Sequence, residues 1–347
     1  MTDKSRNPCV TSLAWPGAPL AIRSAVAAVA ALGLWSCDAK SAAGGPPLVL
    51  ERTIPLAGVK GRIDHLAVDT AHGRLFVAEL GNGSIEALDI ASGRSLGRVG
   101  GLGEPQGLAY LAARDELAVA TGGDGMLRFY RAADLSLAGS VKLGEDADNV
   151  RVDRASGKVV VGYGSGALAV IDPATRGVIV RAAMPGHPEG FQLDGGRAYV
   201  NVPDAGRIEV VDVASGRQVA TWPNGWLRYN FPLALDPSTE SLASVFRFPP
   251  MLGIFDIATG ARRQTLPTCG DVDDAFFDLK RKRVYVICGA GQVDAFQAGG
   301  NGYARLDRLK TRSGARTGFF APDLDRLFVA ARAGAEPAAI LVYRPAS

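Results

Sequence analysis

Residues 65–94 read HLAVDTAHGRLFVAELGNGSIEALDIASGR, one complete unit of the pattern that decides the fold. An apolar strand closes on Asp (HLAVD, 65–69) and a second follows (RLFVA, 74–78). A Gly/Asn turn (GNG, 81–83) leads to a third strand (SIEALD, 84–89), and ASGR (91–94) turns the chain again. The same score is written seven times between Arg62 and Ser347. NVRVD (149–153) goes with KVVVG (158–162) and ALAVID (167–172), and GFQLD (190–194) with RAYVNV (197–202) and RIEVVD (207–212). LALD (233–236) pairs with LGIFD (252–256), and AFFD (275–278) with RVYVIC (283–288). GLAYL (107–111) and GFFAP (318–322) mark two weaker units that lack the closing Asp. Self-similarity at a fixed period outranks any local signal.

The first six units start near residues 62, 103, 144, 185, 225 and 269, so the spacing runs from 40 to 44 residues. Four short strands per unit at that spacing describe a propeller blade. Period-two alternation, as in RIEVVD, belongs to strands, and nothing after residue 45 carries a sustained helical period. The last unit, 312–347, has room for only three strands. LVLERTIPL (48–56) stands alone before the first full unit and supplies the fourth. Closure by that strand removes the open edges that invite aggregation. The sequence therefore predicts an all-β fold in one domain, residues 48–347. It has seven four-stranded antiparallel blades, with 48–56 as the outer strand of the last. Forty-three Gly and twenty Pro in a chain that is 47% hydrophobic suit many tight turns around a large core.

The first 47 residues differ in kind. Lys4, Arg6 and Arg23 precede an apolar run from Ala25 to Trp35. That run is shorter than the roughly 20 residues a bilayer span needs. A basic segment before a short apolar core reads as an export signal, residues 1–36. The ending Leu34-Trp35-Ser36-Cys37 resembles the lipobox of bacterial lipoproteins, whose Cys is lipidated and becomes the mature N-terminus. The expectation is a lipid anchor on Cys37, a tether over 37–47 rich in Ala, Gly and Pro, and a periplasmic or cell-envelope location. Without lipidation, cleavage near Ser41-Ala42-Ala43 would give a secreted protein. Three cations and one acid (Asp3) lie in residues 1–36, so the formal charge of +3 falls to +1 without them. A near-neutral body with no basic stripe offers no footprint for nucleic acid. Lys280-Arg281-Lys282-Arg283 reads as a solvated hairpin turn, and the chain as a monomer.

Of four cysteines, Cys9 and Cys37 fall in the leader, which leaves Cys269 and Cys288 in the body. An oxidising compartment favours a disulfide between them over two buried thiols. Signatures of familiar chemistry are absent. GYGSG (162–166) places Tyr163 where a nucleophile elbow needs Gly, and there is no C-x-x-C-H, H-E-x-x-H or Walker loop. No catalytic residue can be assigned.

The first strand of each blade lines the channel, so aligning the units on the closing Asp reads the channel mouth as columns. Five residues before it stand Asp64, Gln106, Asp148, Glu189, Phe231, Asp273 and Thr317. Seven before it stand Arg62, Glu104, Asp146, His187, Tyr229, Asp271 and Ala315. Four before it stand His65, Gly107, Asn149, Gly190, Pro232, Asp274 and Gly318. Arg228 and Arg316 lie nearby. The expected ligand funnel is Arg62, Asp64, His65, Gln106, Asp148, Asn149, His187, Glu189, Arg228, Asp273, Asp274 and Arg316. Three readings of its acids stay open. They cap backbone amides in the blade-connecting loops. They bind a small ligand or a divalent cation (Ca²⁺, Mg²⁺ or Zn²⁺) through Asp64, His65, Asp148, His187, Glu189 and Asp273. Or such a metal activates water. His72 is read as an exposed turn residue. Trp222, Trp226, Tyr229 and Phe231 open the fifth unit as a loop packing its own aromatics, or as a lip for a partner.

The motifs RLFVA (74–78), RAYVNV (197–202) and RVYVIC (283–288), with strands ending IDP (171–173), VDVASGR (211–217) and FDIATG (255–260), resemble exported bacterial YVTN-type (YncE-like) β-propeller repeat proteins. The resemblance covers about residues 48–345. It implies seven blades, export, and a binding or scaffolding role toward a protein or small ligand. The propeller class also holds lactonase-like hydrolases and lyases, and a metal-dependent enzyme of that kind is the alternative.

Overall fold

The strand that precedes the first repeat closes the ring. In the computed structural model, which describes residues 45–347, β1 (Leu48–Pro55) pairs antiparallel with β28 (Ala339–Pro345), from Leu48↔Pro345 to Pro55↔Ala339. Seven four-stranded antiparallel sheets result. Six use consecutive strands, and the seventh runs β1, β28, β27 (Arg326–Ala331), β26 (Thr317–Ala321). Residues 45–347 form one compact unit. Leu48, Ile54 and Leu56 are buried, so the closing strand is held by apolar contact as well as by its ladder.

The core is distributed. Seven apolar clusters each join one pair of neighbouring blades, and the largest sets Leu127 and Phe129 of the second blade against Val159 and Val161 of the third. Polar ties cross the same seams. Arg176 stacks on the Phe129 ring at 3.9 Å and donates to Glu116 at 2.7 Å. The KRKR turn departs from its expected solvated state. Arg281 donates to Asp278 and Asp325, and Arg283 to the Ala346 carbonyl at 2.6 Å, so both latch the sixth blade to the seventh and to the C-terminal residues. Cys269 and Cys288 are joined in a disulfide with Cα atoms 5.8 Å apart.

The strand-closing aspartates explain their own recurrence. Asp69 Oδ1 accepts from the Ala71 and His72 amides, and Asp153, Asp236 and Asp278 likewise accept from Ala155, Ser238 and Arg281. Each satisfies amides of the turn that follows, the routine work of a turn Asp. A 3-10 turn makes the connection after Leu111 and Ala321, where that Asp is missing (Ala112–Arg114 and Pro322–Leu324), and also after Asp236 (Pro237–Thr239). His72 is more than an exposed turn residue: its Nδ1 lies 2.9 Å from Asp69 Oδ2, beside buried Arg74, which also donates to Asp115.

Candidate functional site

At the other end of the inner strands the ladders slip. The registers of β6 (Pro105–Leu111), β10 (Ala147–Val152), β18 (Arg228–Asp236) and β22 (Val272–Asp278) shift between Pro105 and Leu108, Ala147 and Val150, Asn230 and Leu233, and Val272 and Asp274. A bulge re-aims the side chains within it. The bulged residues include Gln106, Asp148, Asn149, Phe231 and Asp273, all of which face the channel. Just upstream in the same four blades, Glu104, Asp146, Tyr229 and Asp271 take positive φ (53°, 41°, 60° and 57°). A left-handed non-glycine residue costs about 1–2 kcal/mol, so this rim is built against local preference. Room for it comes from small neighbours: a Cβ on Gly289 would lie 2.0 Å from Asp271 Oδ2, and one on Gly190 2.5 Å from the Phe231 carbonyl.

The mouth holds a cavity of about 160 Å³ lined by Arg62, Gln106, Asp146, Asp148, His187, Glu189, Phe231, Arg247, Asp273 and Arg316. Below it lies a chamber of about 20 Å³, walled by His65, Asn149, Arg151, Gln192, Asp274 and others. Glu189, Phe231 and Asp273 line both. Seven of the twelve expected residues therefore stand around the larger cavity, and His65, Asn149 and Asp274 around the smaller. Asp64 is buried behind them at 1% exposure, 2.9 Å from the Arg62 guanidinium. Arg228 is a correction: its guanidinium folds back to the Gly225 and Leu227 carbonyls and lines neither cavity. Its place in the funnel is taken by Arg247 from β19 (Ser241–Phe248), a second strand that the columns did not include.

Nearly every funnel acid has a side-chain partner. Asp273 accepts from Arg247 at 2.6 Å, with Arg316 Nε at 2.9 Å on its other oxygen. Asp271 accepts from Arg316 at 3.0 Å, and Asp146 from Gln106 at 3.3 Å. Asp148 accepts from Asn149 and lies 3.7 Å from His187 Nε2. His65 sits 3.5 Å from Asp274 and 3.9 Å from Asp64. Only Asp274 among these acids accepts a backbone amide, from Gly318 at 2.8 Å. The capping reading thus fits the opposite end of the strands and not the funnel. Arg247 also covers the Phe231 ring at 3.5 Å, which fixes its guanidinium plane.

The charges are tuned in opposite directions. Burial opposes charge on His65 and His187, but Asp274 beside the first and Asp148 beside the second raise them to about 10 and about 9. Burial likewise works against Asp148, yet His187 and His65 hold its carboxyl below the usual range. Burial, with Asp148 and Asp273 adding to it, lifts Asp64 to about 6 against the pull of His65 and Arg62. Burial and the neighbouring Asp148 push Glu189 up to about 8. Glu189 has no hydrogen bond or ion pair among the described residues.

Five of the six residues expected to offer metal ligands share these walls, with Asp64 behind them, but no three of the six place donor atoms within 4.8 Å of one another. Among the described residues Asp69, His72 and Asp115 do so, at the far end of the first two blades. The Arg74 guanidinium already donates to both of those carboxylates.

The aromatics expected to open the fifth unit divide, and Trp222 belongs to the outer strand of the fourth blade. Trp222 is buried against Tyr199 with ring centroids 5.5 Å apart, and Phe231 enters the funnel. Trp226, Tyr229 and Phe248 remain exposed at 57%, 53% and 66%. Columns of sequence found the rim residues. Arg247 and Arg151 carried no such signal, because one lies on a second strand and the other below the columns. The fold and the site define a seven-bladed β-propeller with a charged funnel at one end of its channel. No protein-family model matches the chain, and no curated protein matches it either.

Proposed function

We propose that the chain is an exported, lipid-anchored propeller of the YVTN (YncE-like) type. It acts as a binding module in the periplasm or cell envelope and seats a polar end group of a ligand or partner protein in its funnel. The observation that carries this reading is the cavity of about 160 Å³ in which charged side chains from six blades converge, all but Glu189 facing a side-chain partner. Its size is below the ~300 Å³ of pockets that bury a drug-sized molecule, so it suits a small ligand or the tip of a larger one. Charges already paired resist collapse of the empty site and present fixed donors and acceptors. Export is supported by the basic and apolar leader ending in Cys37, and by the Cys269–Cys288 disulfide, which persists in oxidising compartments.

The test has two arms. Cys37→Ser is expected to move the protein from the membrane to the soluble fraction and abolish labelling by radioactive palmitate; unchanged fractionation would reject the anchor. For the funnel, native mass spectrometry of gently purified protein is expected to show a bound small molecule or peptide that Arg247→Ala releases. A ligand retained by that variant would place binding elsewhere. A metal-dependent hydrolase or lyase, the other use of such a funnel, has less support, because its candidate donors are spread around the wall and most already face arginine or histidine.

A further inference from the structure

The funnel contains one acid set apart from the rest. Every other carboxylate lining the two chambers has a cation or a donor within reach, while Glu189 reaches into both chambers with no side-chain partner among the described residues. A second feature points the same way. Asn149 is only 2% exposed and lines the inner chamber, and its Oδ1 has no donor. A buried acceptor without a partner costs about 1–3 kcal/mol, so this oxygen calls for a donor. At the junction of the two chambers Glu189 and Asn149 Oδ1 are thus acceptors without a donor, while the unpaired Arg62 Nε belongs to the outer cavity.

We propose that this junction binds a protonated primary amine, with Glu189 as its counter-ion and Asn149 Oδ1 as a further acceptor. This rests on the binding role of the funnel and names the chemistry that role selects. An ammonium offers three donors and no acceptor, which matches the unsatisfied set. Its head is about the size of the water-scale inner chamber, and the aliphatic stem fits the larger cavity above. The cations nearby do not cancel the attraction. His65 is engaged by Asp274 and Asp64, Arg62 by Asp64, Arg247 and Arg316 by Asp273, and His187 by Asp148. Arg151 donates to the Val150 carbonyl and lies over the Phe191 ring at 5.5 Å. Burial first, and then Asp148, raises Glu189, so its carboxylate has no neighbouring cation that offsets its burial. A bound ammonium would favour the ionised carboxylate. The amine has two sources, a small alkylamine or a lysine side chain of a protein partner.

Calorimetric titration of the mature protein with butylammonium chloride, Nα-acetyl-lysine methylamide, butanol and sodium acetate decides the matter. The expected result is binding of an amine with no measurable binding of butanol. Glu189→Gln should weaken it at least about tenfold, the worth of one charge-assisted hydrogen bond, and Glu189→Asp should restore part of it. Tighter binding of the lysine derivative points to a protein partner, and tighter binding of butylammonium to a small amine; either supports the proposal. Butanol binding as well as the amine, or an amine affinity unchanged in Glu189→Gln, overturns it. Acetate binding that Arg247→Ala abolishes, without amine binding, overturns the amine inference but leaves the funnel as a binding site. No binding of any probe overturns the amine inference, and a native ligand that Arg247→Ala retains overturns the binding reading as well. Circular dichroism of each variant guards against loss of fold.

Discussion

At one end of the inner strands Asp69, Asp153, Asp236 and Asp278 accept backbone amides of the turn that follows. At the other end Asp64, Asp148 and Asp273 accept none and face arginine, histidine or asparagine side chains instead. The residue type is the same, but the first set serves local chain geometry and the second serves a cavity. The first should therefore matter to stability and the second to recognition. Asp69→Ala gives the sharpest contrast. It strands the Arg74 guanidinium, whose side chain is 9% exposed, with Asp115 as its remaining carboxylate. Removing one member of a buried pair costs about 3–5 kcal/mol, and with Asp115 still present about 3 kcal/mol is expected from urea unfolding. Asp146→Ala, on the exposed rim at a left-handed backbone position, is expected to lose no more than about 1 kcal/mol. Equal losses would erase the distinction.

The disulfide tests how the funnel is held in place. Cys269 lies just before β22 and Cys288 ends β23 (Arg283–Cys288), so the bridge ties the loop that carries Asp271, Asp273 and Asp274. The positions are 19 residues apart, and closing a loop of that size is worth about 3 kcal/mol on the chain-entropy account. Cys269→Ala with Cys288→Ala should lose stability of that order. Amide exchange should quicken around 268–274 and stay unchanged at the Asp69 and Asp236 turns. Faster exchange at both ends alike would mean that the bridge supports the whole ring.

Titration separates the two ends again. Hydrogen bonds hold the carboxyls of Asp69 and Asp172 below their ordinary values, Asp172 at about 2. Their contribution is present above the unfolded value near 3.8 and is lost as pH falls through the folded one. Glu189 moves the other way, to about 8. Between an ordinary carboxyl value and pH 8 the native state holds a proton that the unfolded chain has released, so stability falls as pH rises, by at most about 1.4 kcal/mol per unit. His65 and His187, raised to about 10 and about 9, add stability that is complete below about 6.5 and is lost through those values. Acid should loosen the turn end first and alkali the funnel end first. Glu189→Gln should flatten the decline from pH 6 to 8, and His65→Gln the decline above it. A decline unchanged in both variants would remove the funnel as its source.

How far sequence reached follows the same division. Blade number and closing strand were legible because they depend on period and strand count, which a hydrophobic pattern records directly. The rim residues were legible because strands of equal length put equivalent positions at equal height. Arg247 was not: it comes from the top of β19, where Arg247 pairs with Pro250 of the next strand, beyond any column keyed to inner strands. Arg228 was misplaced for a related reason. Tyr229 takes φ of 60°, and the left-handed turn sends the preceding guanidinium back onto its own loop. The charge balance was also hidden, since an acidic column looks like a cation trap until the arginines crossing from other strands are seen.

The smallest predicted effect bears on that last point. If arginine and histidine are the true partners of the funnel acids, divalent cations have little to gain there, because each would have to displace a guanidinium or an imidazolium already within 2.6–3.7 Å of its carboxylate. Millimolar Ca²⁺, Mg²⁺ or Zn²⁺, and equally a chelator, are expected to shift the melting temperature by less than about 1 °C. A cation at a hundredfold excess over its Kd would instead stabilise by about 2.7 kcal/mol, several times what such a small shift allows. A large shift removed by Asp148→Asn would transfer the funnel acids from arginine to metal. The contrast between the two ends would then be one between backbone amides and a bound ion.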